Sequence, residues 1–145
     1  LWSNTCCSHP RPGEAVEDAA QRRLHEEMGF QCPLDDAFTF TYRAVLSDTM
    51  IEHEYDHVFI GQATPTVRPN ADEVQDWRWM APNELMADVA THPEQYTAWF
   101  RMAVERVLTH AHEQYPTVVP ALNEAVQRAG FDYATGDNMT SSLMP

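Results

Sequence analysis

The sequence predicts an α+β domain built in layers, and three observations carry that expectation. EAVEDAAQRRLHEEMGF (14–30) has its apolar residues at helical spacing. AFTFTYRAVL and IEHEYDHVFIG each alternate with period two, and only a short turn separates them. Two further stretches read as helices: PNELMADVA, with Pro82 in its first turn, and the amphipathic segment from Glu94 to about Glu113. Helices mixed with antiparallel strands, in a chain of 145 residues, make one core of ordinary size.

Taken in order, the chain opens on WSNTCCSHP, which enters an element at once, and RPGE then turns it. Val16, Ala19, Ala20 and Leu24 form the apolar side of the first helix, and Gly29 supplies its stop, with Pro33 beyond. Phe38, Phe40, Tyr42 and Ala44 share one face of the first strand, SDTM is the turn, and the second strand runs back antiparallel. After a loop with Pro65 and Pro69, DWRWM is expected as a short aromatic strand. Pro82 stands in the first turn of the next helix. Tyr96, Trp99, Phe100, Ala103 and Val107 line one side of the long helix expected from Glu94. This organisation gives a domain over residues 1–113. A linked helix, ALNEAVQRAG, and a small polar end, ATGDNMTSSLMP, fill 114–145, the last expected to be frayed.

Composition narrows the partners. The formal net charge is −13, and all nine basic residues are Arg. Such a surface repels nucleic acid and anionic lipid, so neither is expected as a partner. No apolar run is long enough to span a bilayer, and nothing reads as a signal peptide. Three cysteines, two of them adjacent, make a poor disulfide framework; free thiols in a reducing cytoplasm are the expectation. The chain opens on Leu1 rather than Met, which suggests a further segment upstream.

Three groups of residues could do chemistry. On the first helix, spacing of four sets Arg22 beside Glu26 and Arg23 beside Glu27. Such pairs suit a solvated face as well as a site. On the second strand Glu52 and Glu54 face the same side, with Asp56 beyond them and His53 and His57 opposite. Two carboxylates so close need a cation or a shared proton, or else form an exposed acidic edge. At the start, Cys7 and His9 share a face if the stretch is extended, whereas Cys6 and Cys32 suit plain packing. Thiol, imidazole and paired carboxylates in one cleft would suit Zn²⁺, Mn²⁺ or Mg²⁺.

Ser8, Glu14, Arg22, Leu24, Glu26, Glu27, Gly29 and Phe30 stand at the spacing of the Nudix box, with Ser8 in place of its Gly and Arg23 in place of one Glu. A guanidinium there exchanges a cation ligand for a group that binds phosphate oxygens directly, so the site is better equipped to hold a diphosphate than to cleave it. With WSNTCCSHP, RRLHEEMG, FTYRA, EHEYDH and YTAWF in this order, the stretch from Trp2 to Leu108 resembles type 1 isopentenyl-diphosphate delta-isomerase. The resemblance implies a Nudix-like mixed-sheet α/β/α sandwich whose first strands lie upstream. It implies Cys7 and Glu54 as catalytic residues, Tyr42 beside the glutamate, and Trp99 beneath the isoprenyl group, with core packing on its helix as the plainer role for Trp99. It also implies His9, Glu52 and Glu54 as ligands of a tightly bound divalent metal (Mn²⁺, Zn²⁺ or Mg²⁺), Glu27 as ligand of a diphosphate-linked Mg²⁺, and Arg23 as a diphosphate contact.

The implied reaction interconverts isopentenyl and dimethylallyl diphosphate by adding one proton and removing another through a tertiary carbocation. Either Cys7 or Glu54 can be the acid. Family members carry further metal-ligating histidines and basic diphosphate contacts upstream, so a chain without them is expected to turn over poorly. A Nudix-type pyrophosphohydrolase and a non-catalytic Nudix-like binding module are the alternatives.

Overall fold

A computed structural model describes residues 1–116, 131–132 and 137–138, the last four by their backbone. Helix α1 spans Val16–Met28 and buries Ala19, Leu24 and Met28, the side that helical spacing picks out. Gly29 ends it in the left-handed conformation (φ 72°), its N–H bonded to the carbonyl of His25 at 3.0 Å. The loop after the sheet returns to this helix end. Arg68 N–H donates to the Met28 carbonyl at 3.0 Å and Asn70 N–H to that of Glu27 at 2.8 Å. Two of the carbonyls that a helix C-terminus leaves open are thereby satisfied.

Strands β1 (Asp35–Ser47) and β2 (Met50–Ile60) form one antiparallel hairpin closed by Asp48 and Thr49. Its register sets Tyr42 opposite Glu54, Ala44 opposite Glu52 and Phe40 opposite Asp56. Phe38 and Tyr42 are buried. Glu52, Glu54 and Asp56 are half-buried, whereas His53, Tyr55 and His57 are exposed, so the two faces separate as period two requires. The tip of the hairpin exposes Val45, Leu46, Met50 and Ile51.

Helix α2 (Pro82–Thr91) starts on Pro82, whose missing N–H costs nothing at that position. Helix α3 (Ala98–Gln114) starts four residues later than helical spacing suggests. A single 3₁₀ turn, Pro93–Gln95, comes first, and Tyr96 and Thr97 are extended. The cause is Trp2, which makes a parallel bridge with Tyr96. Its N–H donates to the Gln95 carbonyl at 2.7 Å, and its carbonyl accepts from Thr97 N–H at 3.0 Å. Those long-range bonds take the groups that another helical turn would have used. Tyr96 is nonetheless buried and stacks on Phe100, the ring centroids 5.5 Å apart. Helix α3 lies against the hairpin, with the Arg106 guanidinium 4.0 Å over the Phe38 ring.

DWRWM is not a strand. A strand needs a neighbouring backbone to pair with, and among the described residues none pairs with this segment. Its side chains fix it instead. Arg78 Nη2 reaches Asp88 Oδ2 at 2.9 Å and the Tyr96 hydroxyl at 3.1 Å, and its guanidinium sits 4.3 Å over the Trp2 ring. Trp77 and Trp79 meet edge to face.

The architecture among the described residues is α+β, as expected, with the long antiparallel hairpin as its main sheet and the Trp2 bridge as its parallel contact. Within the end expected to be frayed, β4 (Asp137–Asn138) pairs with β3 (Phe131–Asp132). The helix expected over 121–130 and the rest of that polar end lie outside the described residues. No described helix is long and apolar enough to cross a membrane.

Candidate active site

The hairpin places Tyr42, Glu52 and Glu54 on one face by register alone. The Tyr42 hydroxyl lies 3.1 Å from Glu52 Oε2 and 3.1 Å from Glu54 Oε2. One phenolic proton is shared by two carboxylates that would otherwise repel each other across the strand. Burial comes first, and the two acceptors add to it, in making that phenol harder to ionise than an ordinary tyrosine. His9, 84 % exposed, approaches from the opening segment with Nε2 at 3.3 Å from Glu54 Oε1.

Cys7 belongs to the same neighbourhood. It reaches solvent, yet surrounding protein mass and then the charges of Asp56, Glu54, Glu27 and Glu52 push its thiol up to about 11. Burial, with the nearby Glu27 charge next, pushes Cys6 up to about 12. Cys7 is therefore a protonated thiol at neutral pH. A thiol lifted from an ordinary 9.0 to about 11 has roughly a hundredfold less thiolate, partly offset by the greater nucleophilicity of the more basic sulfur. At pH 7.5 Cys7 is expected to react with iodoacetamide about tenfold more slowly than a free thiol, with the rate still climbing above pH 9. Peptide mapping by tandem mass spectrometry measures this, and a rate equal to free cysteine would contradict the crowding by carboxylates.

The segment that carries Cys7 is pinned to the start of α3. Trp99 Nε1 donates to Ser3 Oγ at 3.0 Å and lies 3.3 Å from Asn4 Oδ1, while Thr97 Oγ1 lies 3.3 Å from Ser3 Oγ. The indole of Trp99 thus stands beside the hairpin face, its centroid 6.4 Å from that of Tyr42.

On α1 both expected pairs are present. Arg22 Nη1 bonds to Glu26 at 2.9 Å and Arg23 Nη2 to Glu27 at 2.7 Å. Arg22 also makes a fork with Glu14, Nε to Oε1 at 2.7 Å and Nη2 to Oε2 at 2.8 Å. Hydrogen bonds from Arg22, then the Arg11 N–H, hold the Glu14 carboxyl down to about 2 from an ordinary 4.5. A depressed carboxyl stabilises the fold above its unfolded value, and that contribution is lost as pH falls through the folded one. Glu14→Gln is expected to lower the melting temperature at pH 6, with the difference from wild type vanishing as pH falls from about 4.5 towards 2. Melting curves across that range are the measurement; a gap that persists at the acid end would contradict it.

Arg23, only 17 % exposed, is not presented free to a ligand. Besides Glu27 it bonds to Glu26 at 2.8 Å and to Glu73. Burial raises the Glu27 carboxyl, outweighing the lowering by Arg23.

The donor types at His9, Glu52 and Glu54 suit a divalent cation. Their arrangement does not close on one: among the described residues no three His, Cys, Asp or Glu side chains gather as metal ligands. The Tyr42 proton stands between the two glutamates in the role a cation would play, and Glu27, the expected Mg²⁺ ligand, is turned to Arg23. The structure brings Cys7, His9, Tyr42, Glu52, Glu54 and Trp99 into one neighbourhood, and Glu27 and Arg23 of α1 lie within electrostatic reach of the Cys6–Cys7 pair.

With this geometry in place, comparison with known proteins adds the lineage. Residues 1–100 match the family pattern described as the NUDIX domain. The chain belongs to the NUDIX domain family. Among NUDIX relatives it is 50 % identical over 109 residues to isopentenyl-diphosphate delta-isomerase 2 of Aromatoleum aromaticum, covering 75 % of this chain and 58 % of that protein. It is 50 % identical over 113 residues to isomerase 1 of the same organism (78 % and 64 % covered), and 44 % identical over 119 residues to an isopentenyl-diphosphate delta-isomerase 2 of Photorhabdus laumondii (82 % and 67 %). The chain spans about three-fifths of the length of the first two.

Within this NUDIX site, two contacts had no sequence signal. Glu73 sits 50 residues from Arg23 in a loop, and Ser3 sits 96 residues from the indole it holds. The Glu14–Arg22 fork was legible only as two positions of the box, without the contact between them.

Proposed function

We propose that the protein is an isomerase of isoprenoid biosynthesis that interconverts isopentenyl and dimethylallyl diphosphate. One observation carries the reading: a thiol kept protonated, Cys7, lies within electrostatic reach of a carboxylate, Glu54, on a face shared with Tyr42 and Trp99. Relatives bearing that activity in their names share close to half of the aligned residues.

The reaction needs a proton delivered to the terminal alkene carbon and another taken two carbons away. Cys7 holds the first at neutral pH. As its S–H bond breaks, a C–H bond forms at the alkene terminus and a tertiary cation develops. Glu54 then takes the proton from the adjacent methylene, and the electrons of that C–H bond close the new double bond. The cycle ends with thiolate and carboxylic acid, which a proton transfer through solvent resets. Tyr42 fixes the Glu54 carboxylate through Oε2 by its shared hydroxyl, and the exposed His9 ring lies 3.3 Å from Oε1, where it must give way to substrate. The π face of Trp99 attracts the cation by ~2 kcal/mol or more when water is excluded. The substrate is a small-molecule diphosphate, and a divalent ion at His9, Glu52 and Glu54 with Mg²⁺ at Glu27 belongs to the same proposal, with no step above drawn through either. The free thiols suit a reducing, cytoplasmic setting.

Incorporation of solvent deuterium into isopentenyl diphosphate, followed by NMR with Cys7→Ala as control, tests the proposal. Exchange by the wild-type protein and none by the variant is the expected result. Equal exchange in both, or phosphate release without exchange, would overturn it, the latter in favour of a pyrophosphohydrolase.

A further inference from the structure

Arg23 carries three carboxylates, and they are not equivalent. Glu26 and Glu27 come from its own helix at three and four residues' distance. Glu73 comes from the loop after the sheet, 39 % exposed, and its Oε2 takes the same Nη2 that faces Glu27. The loop is built to present it. Arg68 and Asn70 hold the backbone on the last carbonyls of α1. The Asn70 carbonyl then accepts from Glu73 N–H at 3.0 Å and from Val74 N–H at 2.8 Å, and Asn70 Oδ1 accepts from Asp72 N–H at 3.1 Å. Glu73 is the largest cause of the upward shift of the Arg23 guanidinium.

Charge counting shows why this matters. Arg11, Arg22 and Arg23 face Glu14, Glu26, Glu27 and Glu73, four carboxylates to three guanidiniums. An incoming diphosphate meets a cluster that is already over-neutralised, and the guanidinium it would bind has its donors taken. We propose that Glu73 is an internal anion at the diphosphate subsite, occupying the part of Arg23 that a substrate diphosphate must take, so that its displacement sets the affinity for the anion. The inference rests on the isomerase reading in assigning Arg23 to the diphosphate. A diphosphate offers more oxygens and more charge than one carboxylate and can win Arg23, but it must break the Glu73 contact and then sit beside a like charge. Removing that charge removes both costs.

Pyrophosphate binding by the full chain, measured calorimetrically, is the test. Glu73→Gln keeps the size and a hydrogen bond to Arg23 while deleting the charge, and is expected to bind pyrophosphate about tenfold more tightly than wild type, the effect shrinking with added salt. Glu73→Asp keeps the charge and should stay near the wild-type affinity. Adding Arg23→Gln to Glu73→Gln should abolish the gain. A part played only in folding would weaken binding when lost, not tighten it. Unchanged, weaker or undetectable binding by Glu73→Gln overturns the inference, as does a gain that survives Arg23→Gln. Failure of the isomerase reading is distinguishable: deuterium exchange would then be absent from wild type and all variants whether or not pyrophosphate binds more tightly to Glu73→Gln.

Discussion

Glu54→Gln is expected to lower deuterium exchange into isopentenyl diphosphate by about a thousandfold, within the range that a positioned acid or base contributes. The amide is nearly isosteric, and its oxygen can still accept from Tyr42, so the hairpin keeps its geometry. What is lost is the oxygen that the proposed isomerisation uses as its base. His53→Gln, one residue away on the exposed face of β2, supplies the contrast and should stay within twofold. Rates of both variants by NMR, with melting temperatures to confirm folding, decide the matter. Exchange by Glu54→Gln within tenfold of wild type would remove Glu54 from the chemistry.

The largest effect on stability is expected at Gly29. A Cβ there would overlap the Arg68 carbonyl oxygen and lie 2.9 Å from the Arg68 Cβ, and the backbone is left-handed besides. The conformation alone costs a side chain ~1–2 kcal/mol. Relief of the overlap requires the loop to move, which breaks the bonds from Arg68 and Asn70 to the helix end, each worth ~1 kcal/mol. Gly29→Ala should therefore destabilise by about 3–4 kcal/mol and lower the melting temperature by roughly 10 °C or more. Gly13 has a similar φ of 80° but open space where its Cβ would be, so Gly13→Ala isolates the conformational part at ~1–2 kcal/mol. Equal losses from the two would mean that the Arg68 contact carries no energy.

Those two sites illustrate which parts of the molecule sequence could announce. The first helix and its Gly29 stop follow from local preference, and the hairpin follows from alternation, which also set Glu52 and Glu54 on one side and His53 and His57 on the other. Tyr42 between the two glutamates then follows from register. The pairs Arg22–Glu26 and Arg23–Glu27 were legible because helix geometry alone brings them together. DWRWM misled because aromatic alternation says that a strand is possible without saying that a partner exists. The late start of α3 was hidden for the mirror-image reason: Trp2, nearly a hundred residues away, supplies a partner that nothing around Tyr96 reveals. Glu73 on Arg23 and Ser3 on Trp99 are likewise contacts between distant segments, made by the folded chain and written in no local pattern. The Arg at the box position drew attention to a diphosphate, but not to the carboxylate already seated on it.

The Trp2–Tyr96 bridge has a dynamic corollary. Two backbone bonds, the Arg78 guanidinium over Trp2 and a few side-chain contacts of Ser3, Asn4 and His9 tether the stretch bearing Cys7, so that stretch can peel away at a fraction of the energy of melting the whole domain. In native-state hydrogen exchange the amides of Trp2 and Thr97 should open as a pair, well before those of the hairpin, so the opening segment would come away while the scaffold beneath it stays intact.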